Sequence, residues 1–231
     1  WNRQLPELKY YEGTVWYARR FDVAKGSGKR LFLYFGAVSY RCRIYLNGQE
    51  IGRHEGGFTP FQIEVTNAVK EAGNFLVVEA NNARTTDAMP AMAFDWWNYG
   101  GITRDVFLVS TPQVFIEDYF VQLDKYKADQ VNARIQLSEK AANKNIELNI
   151  PELNAKQRLT TDENGVAQVS FKVKQLERWS PGSPKLYKVI LSSETDRMEE
   201  SIGFRNLYVK GENIYLNDQP IFLKATSFHE D

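Results

Sequence analysis

The sequence predicts an all-β chain built from sandwich-type domains. Two observations carry this prediction: apolar and polar residues alternate over many short runs, and turn signals separate those runs at regular spacing. The run at 102–110 ends in Thr111-Pro112, and beyond it the aromatic content falls. We therefore place a domain boundary at this point.

The composition limits the partners of the chain. Its 29 basic and 29 acidic residues cancel among 231, so nothing attracts it to nucleic acid or to an anionic membrane. No apolar run approaches the roughly 20 residues that cross a bilayer. Cys42 is the only cysteine, which excludes an intrachain disulfide, and with His54 and His229 it makes no metal-ligand cluster. We expect no nucleic-acid or membrane partner and no cofactor, and we assign no metal ligand, although a metal ion in the intact protein stays open.

Two further expectations concern the cellular location of the protein and the origin of this chain. The cysteine count leaves the compartment undetermined, with a periplasmic or extracellular location favoured. The chain begins at Trp1 without a methionine or a signal peptide, so we expect a processed or engineered piece of a longer protein.

The first domain is predicted to contain strands joined by tight turns. Asn47-Gly48 is the strongest hairpin signal, because both central residues of a type I′ turn take positive φ. Residues 66–72 have the length for one helical turn. The predicted strands are 13–23, 30–35, 41–46, 49–52, 61–65, 75–80 and 102–110.

The aromatic loop, residues 81–99, is the least generic part of the chain. It stops alternating and crowds Phe94, Trp96, Trp97 and Tyr99 around Asp95. One interpretation is that Asp95 and flanking rings meet a polyol ligand, because sugars offer ring faces to stack and hydroxyls to bond. The other is that the tryptophans fill the end of a sandwich and that Asp95 caps the loop backbone.

The second part of the chain has the pattern of a small antiparallel sandwich, with strands predicted at 114–123, 130–138, 145–150, 157–160, 167–173 and 186–192. Asn217-Asp218 marks a second hairpin, and a last strand at 221–227 leads into His229-Glu230-Asp231. A compact domain does not normally finish on a strand tip that carries ionisable groups. Of the isolated residues, His54 is interpreted as a surface turn residue and Cys42 as a small buried hydrophobe.

Six motifs in order resemble glycoside hydrolase family 2, which contains β-galactosidases, β-glucuronidases and β-mannosidases. Each motif is weak by itself, but their order along nearly the whole chain is specific. They are Gly13-Thr14-Val15-Trp16-Tyr17-Ala18-Arg19-Arg20-Phe21, Phe35-Gly36-Ala37-Val38, Leu46-Asn47-Gly48, Gly56-Gly57-Phe58-Thr59-Pro60-Phe61, Tyr99-Gly100-Gly101-Ile102-Thr103-Arg104-Asp105-Val106, and Phe222-Leu223-Lys224 with His229-Glu230-Asp231.

The resemblance implies a jelly-roll sugar-binding domain at 1–111, an immunoglobulin-like sandwich at 112–205, and the first strand of a TIM barrel at 206–231. It also implies the function: the non-catalytic N-terminal part of a retaining exo-β-glycosidase, β-galactosidase-like or β-glucuronidase-like, with a carbohydrate substrate. Asp95 lies six residues before the second glycine of Gly100-Gly101, the place of the family's substrate-contacting loop aspartate. His229 and Asp231 correspond to residues that line the sugar pocket, although His229 could instead be a structural histidine.

The catalytic residues of such an enzyme are expected outside this chain. The family uses two glutamates on barrel strands downstream of residue 231, and Glu230 does not correspond to either. We therefore expect no catalytic residue here and no activity from the chain alone. The intact enzyme could form a homo-oligomer, and the motifs do not decide which sugar is cleaved.

Two alternatives stay open. A stand-alone carbohydrate-binding β-sandwich would bind glycan through the first domain without hydrolysing it. An adhesion or scaffold protein would share the sandwiches, but it gives no reason for a strand ending in His229-Glu230-Asp231.

Overall fold

The computed structural model describes residues 1–24, 26, 28–88, 91–92 and 97–227, and over these the chain is all-β, as predicted. It forms two compact units, Trp1–Thr111 and a second that begins at Pro112. No helix within the described ranges has the length and hydropathy to cross a membrane.

The described residues of the first unit form nine strands and a 3₁₀ turn at Pro6–Leu8. The strands are β1 Thr14–Phe21, β2 Lys29–Phe35, β3 Val38–Ser39, β4 Arg41–Leu46, β5 Gln49–Glu55, β6 Phe61–Glu64, β7 Asn74–Asn81, β8 Gly101–Ile102 and β9 Val106–Pro112. A four-stranded sheet has the order β1-β7-β4-β5, a three-stranded sheet has the order β6-β2-β9, and β3 pairs with β8. This is the predicted jelly-roll-type sandwich.

Alternation along the strands builds the core of this sandwich. In β4, Cys42, Ile44 and Leu46 are buried and the residues between them face outward. They pack with Leu33 and Phe35 of the other large sheet in one apolar cluster. The Asn47-Gly48 hairpin is confirmed, with φ of 54° and 86° at its two central residues.

The second unit holds the predicted immunoglobulin-like sandwich. Its strands are β10 Ile116–Leu123, β11 Gln130–Leu137, β12 Asn145–Ile150, β13 Ala155–Thr160, β14 Val166–Lys172, β15 Tyr187–Ser192 and β16 Arg197–Ile202, with a 3₁₀ turn at Pro151–Leu153. They form a three-stranded sheet, β10-β11-β14, and a four-stranded sheet, β13-β12-β15-β16. Buried residues of both sheets join in one core cluster.

A small meander follows, with β17 Leu207–Lys210, β18 Asn213–Leu216 and β19 Gln219–Ile221. The Asn217-Asp218 hairpin is confirmed, since φ is 53° and 68° at these residues. The last strand, predicted at 221–227, is wrong beyond Ile221, since the described residues 222–227 lie outside strands. The barrel strand and the division into 1–111, 112–205 and 206–231 stay predictions.

Three local expectations differ from the structure. The predicted strand at 102–110 is two strands, because residues 103–105 leave the ladder and Gly36 donates to the Asp105 carbonyl oxygen at 2.9 Å. Strand β16 was not predicted, since its sequence Arg-Met-Glu-Glu-Ser-Ile is mostly polar. The helical segment at 66–72 is only a turn, closed where Val69 donates to Val65 at 3.0 Å.

Candidate functional site

All three residues predicted to contact substrate lie outside the described part of the chain: Asp95 in the aromatic loop, and His229 and Asp231 at the C-terminal end. Their assignment stays a prediction. The structure does describe how the aromatic loop is attached to the sandwich. Both of its ends, at Asn82 and at Asn98, are buried at the base of the loop.

Two asparagines connect the ends of the loop through reciprocal side-chain bonds. The amide nitrogen of Asn82 donates to the backbone carbonyl of Asn98 at 2.8 Å, and the amide nitrogen of Asn98 donates to the backbone carbonyl of Asn82 at 2.7 Å. Asn82 is 0% exposed and Asn98 is 4% exposed. Buried amides that satisfy each other in this way fix the local backbone, because any alternative leaves polar groups unpaired.

A second layer beneath this pair joins the base to the N-terminal segment. The Asn82 side-chain oxygen accepts a bond from the Gly13 backbone at 2.9 Å, while that of Asn2 accepts one from Gly100 at 2.8 Å. The Asn2 amide nitrogen donates to the carbonyls of Leu8 at 2.7 Å and Tyr11 at 3.0 Å. The loop base is therefore part of a network that reaches the first residues of the chain.

The glycine pair of the loop motif is required by close packing. A Cβ atom at Gly100 would overlap the Trp1 ring and lie 2.7 Å from Cβ of Asn82. Gly101 has φ of +106°, and a Cβ atom there would overlap the Tyr17 hydroxyl. Burial raises the pKa of Tyr17, as expected for a phenol held inside the sandwich. The Gly-Gly motif thus allows strand β8 to approach two aromatic rings.

Trp97, the described tryptophan of the loop, is held from two sides. Tyr10 meets it edge-on at 5.7 Å between ring centroids, and the Arg84 guanidinium lies 5.2 Å from its centroid. Arg84 also pairs with Glu12 at 2.7 Å. The Trp97 Nε1 atom is buried and has no hydrogen-bond partner among the residues the structure describes. This ring packs against its own unit instead of standing free as a stacking platform.

The two isolated residues have different outcomes. Cys42 is buried, as predicted, and burial raises the pKa of its thiol to about 11. The interpretation of His54 as a surface turn residue is wrong: it lies in β5, and its ring stacks on Phe61 at 4.1 Å between centroids. The polar sequence around His54 hid its inward orientation. Within the described ranges no group of three or more His, Cys, Asp or Glu could hold a metal ion.

Sequence reasoning missed the asparagines of the base. Asn98 was noticed only as part of the loop motif, and Asn2 and Asn82 drew no attention. Their positions in the sequence were the available signal, because Asn82 directly follows a strand and Asn98 lies two residues before the glycine pair. Polar residues at loop ends that are buried in this way bond the backbone.

Comparison with known proteins gives consistent matches along the chain. Residues 3–112 match the family model described as "Glycosyl hydrolases family 2, sugar binding domain". Residues 114–205 match the model described as "Glycosyl hydrolases family 2". Together these two models account for most of the chain, in consecutive order.

Among curated proteins, a putative beta-glucuronidase of Formosa agariphila is 26% identical over 96% of this chain and 29% of its own length. A beta-galactosidase of Streptococcus thermophilus is 28% identical over 87% of this chain and 21% of its own length. Among solved structures, a beta-glucuronidase of an uncultured Clostridium is 30% identical, with a TM-score of 0.78 over 95% of this chain and 40% of that one. The chain thus spans less than a third of the length of these two curated relatives.

Proposed function

Because the chain belongs to glycosyl hydrolases family 2, we propose that it is the leading, non-catalytic part of a retaining exo-β-glycosidase that removes a terminal sugar from a glycoside. The support is the order of the two matched family models and the similarity of most of the chain to a portion of a putative beta-glucuronidase and of a beta-galactosidase. We propose a β-glucuronide or a β-galactoside as the substrate class.

We assign Asp95 the role of a substrate-binding residue in that enzyme. Its carboxylate would accept hydrogen bonds from hydroxyl groups of the terminal sugar, and the aromatic loop would carry it to the pocket. The observation that carries this role is the base of the loop, where Asn82 and Asn98 bond each other's backbone at 2.8 Å and 2.7 Å. A binding group on a loop needs such rigid attachment, because small displacements cost much of its effect.

His229 and Asp231 are proposed to line the same pocket. The support is the family motif at these positions and the general location of barrel active sites at the C-terminal ends of strands. A second expectation follows from retaining chemistry, which needs two carboxylates about 5–5.5 Å apart. We propose that both belong to chain beyond residue 231, and that residues 1–231 alone do not hydrolyse glycosides.

The test uses the chain extended past Asp231 through the barrel, assayed with chromogenic β-glucuronide and β-galactoside. We expect turnover of one of the two, no turnover by residues 1–231, and a fall in kcat/KM of about 100-fold or more in Asp95→Asn. Glu163→Gln, an exposed turn residue of the second unit, is the matched control and should leave kcat/KM unchanged. Full activity of Asp95→Asn, or turnover by residues 1–231, contradicts the proposal.

The alternative is a stand-alone carbohydrate-binding β-sandwich without hydrolase activity. It predicts that residues 1–231 bind an oligosaccharide through the aromatic loop, with no further chain needed. Calorimetric titration separates the two: millimolar or tighter binding that Asp95→Asn abolishes favours the alternative. Under the proposed function the pocket is complete only with the barrel, so this loop-dependent binding is absent.

A further inference from the structure

The outer face of the four-stranded sheet β1-β7-β4-β5 carries aromatic residues that the core does not use. Strand alternation sends Cys42, Ile44 and Leu46 inward, so the neighbouring side chains of β4 point to the opposite face. On that face Trp16 of β1 is 58% exposed, and Phe75 of β7 is 38% exposed.

Two of the aromatic rings form a platform. The Trp16 and Tyr45 ring centroids are 6.1 Å apart, and their planes differ by 34°. In the strand register, Tyr45 of β4 lies opposite Val77 of β7, and Val77 lies opposite Ala18 of β1. The side chains beside Tyr45 in this row are therefore small and apolar. The Phe75 ring is covered from one side by the Arg20 guanidinium, 5.1 Å from its centroid. Trp16 is the exposed ring of this platform, and Tyr45 lies half-buried beside it.

Polar side chains continue the row that begins at Trp16. The strand register places Glu79 opposite Trp16, and Arg43 opposite Glu79. Since neighbouring strands are about 4.8 Å apart, Arg43 stands roughly 10 Å from Trp16 across the sheet. The side chains of Arg43 and Glu79 make no hydrogen bond with another residue that the structure describes, and their charges act at longer range, Arg43 on Glu50 and Glu79 on Arg53. A donor and an acceptor without a side-chain hydrogen bond to the described residues thus lie beside the platform.

The charges around this row are already paired. Arg41 pairs with Glu55 at 3.2 Å, and Arg53 pairs with Glu50. Between them lies a surface groove of about 450 Å³, lined in part by Arg41, Arg43, Arg53, Glu55, Glu79 and Asn81. Its lining combines three arginines with two glutamates, so the groove offers no field of one sign to a polyanion.

From these features we propose that the outer face of this sheet is a binding surface for a neutral oligosaccharide. One sugar ring stacks on Trp16 and Tyr45, and hydroxyl groups of the same or the next sugar accept from Arg43 and donate to Glu79. Aromatic rings beside a donor and an acceptor that make no side-chain hydrogen bond fit a polyol, which has both apolar ring faces and hydroxyl groups. A protein partner would favour a contiguous apolar patch. The residues that would contact the sugar lie on strands β1, β4 and β7, outside the aromatic loop, and the proposal needs neither the proposed catalytic function nor further chain.

The experiment uses residues 1–231 in native gels that contain soluble galactan, glucomannan, arabinoxylan or polygalacturonate. We expect at least one neutral polysaccharide to retard the protein, and polygalacturonate to retard it less. Trp16→Ala should weaken retention about tenfold, and Arg43→Ala or Glu79→Gln about threefold or more. Trp16→Tyr should keep most of the binding.

Tyr126→Ala is the matched control, because this ring is 73% exposed on the second unit and should not affect retention. Unchanged thermal unfolding of the Trp16 variants shows that they fold. Four results would each overturn the proposal. The first is no retention by any neutral polysaccharide, the second is stronger retention by polygalacturonate, and the third is retention that is lost in Asp95→Asn but kept in Trp16→Ala. The fourth is self-association that Trp16→Ala abolishes without any glycan retention, which makes the face an interface between copies of the chain.

Discussion

Replacing Asn82 by alanine tests the base of the aromatic loop most severely. The side chain is fully buried and makes two short bonds, one accepted from Gly13 at 2.9 Å and one donated to Asn98 at 2.8 Å. Truncation leaves both backbone partners without their bond in a buried site. Each orphaned group costs about 1–2 kcal/mol, so the expected loss of stability is about 2–4 kcal/mol.

Urea unfolding followed by tryptophan fluorescence measures this loss. Four of the five tryptophans, at positions 1, 16, 96 and 97, belong to the first unit, so the signal reports mainly on it. With an m-value of about 1.5 kcal/mol/M, the midpoint should fall by roughly 1.3–2.7 M. Asn145→Ala is the matched control, because this exposed side chain makes no hydrogen bond to another residue that the structure describes.

Asn82→Asp sharpens the same test. It preserves the acceptor for Gly13, but it places a carboxylate oxygen against the Asn98 carbonyl oxygen, where a donor is needed. The buried carboxyl should have a raised pKa, so its protonated form favours the fold and stability falls as pH rises above about 4. A midpoint for Asn82→Ala within 0.3 M of the parent, on the order of the Asn145→Ala effect, refutes the argument.

Three further outcomes follow from the structure. Gly101→Ala should lower the urea midpoint by more than 1 M, since φ is +106° and the new methyl group overlaps the Tyr17 hydroxyl. Cys42 should not react with a thiol reagent at pH 8 until the protein unfolds, because burial raises its pKa to about 11. The hydrogen bond from Arg178 lowers the pKa of Asp218, so the stability that this ionised carboxylate contributes is present above about pH 4 and is lost as pH falls. Asp218→Asn should therefore make unfolding less sensitive to acid, as measured by pH-dependent unfolding.

Each of these outcomes has its own control. Gly73→Ala also has positive φ, at +69°, but open space around it, so its effect should be the smaller one; equal effects contradict the packing argument. Rapid labelling of folded Cys42 contradicts its burial. For the acid test, Asp129→Asn is an exposed control, and an unchanged pH profile in Asp218→Asn contradicts the assigned bond.

Local chemistry made much of the fold predictable. Asn47-Gly48 and Asn217-Asp218 predicted hairpins because few residue pairs accept two consecutive positive φ values. Alternation predicted strands such as β4 and β11, where every second residue is buried. Strand β16 was missed because it is mostly polar: it pairs with β15 along its length, and of its side chains only Met198 and Ile202 pack against the core.

The candidate site was predictable only in part. Composition drew attention to the aromatic loop, and the family motifs suggested roles for Asp95, His229 and Asp231 that stay predictions. The pairing of Asn82 with Asn98 joins residues 16 apart, and Asn2 meets Gly100 across 98 positions. Contacts of this kind depend on how the sheets fold over each other, so no local pattern reveals them.

The stereochemistry of hydrolysis tests the central proposal most directly. In a proton NMR time course with the chain extended through its barrel, a β-glycoside substrate should first release the β-anomer of the free sugar, and residues 1–231 alone should release none. An α-anomer as the first product, or no release from either β-glucuronide or β-galactoside, contradicts the assignment of this chain to a retaining exo-β-glycosidase.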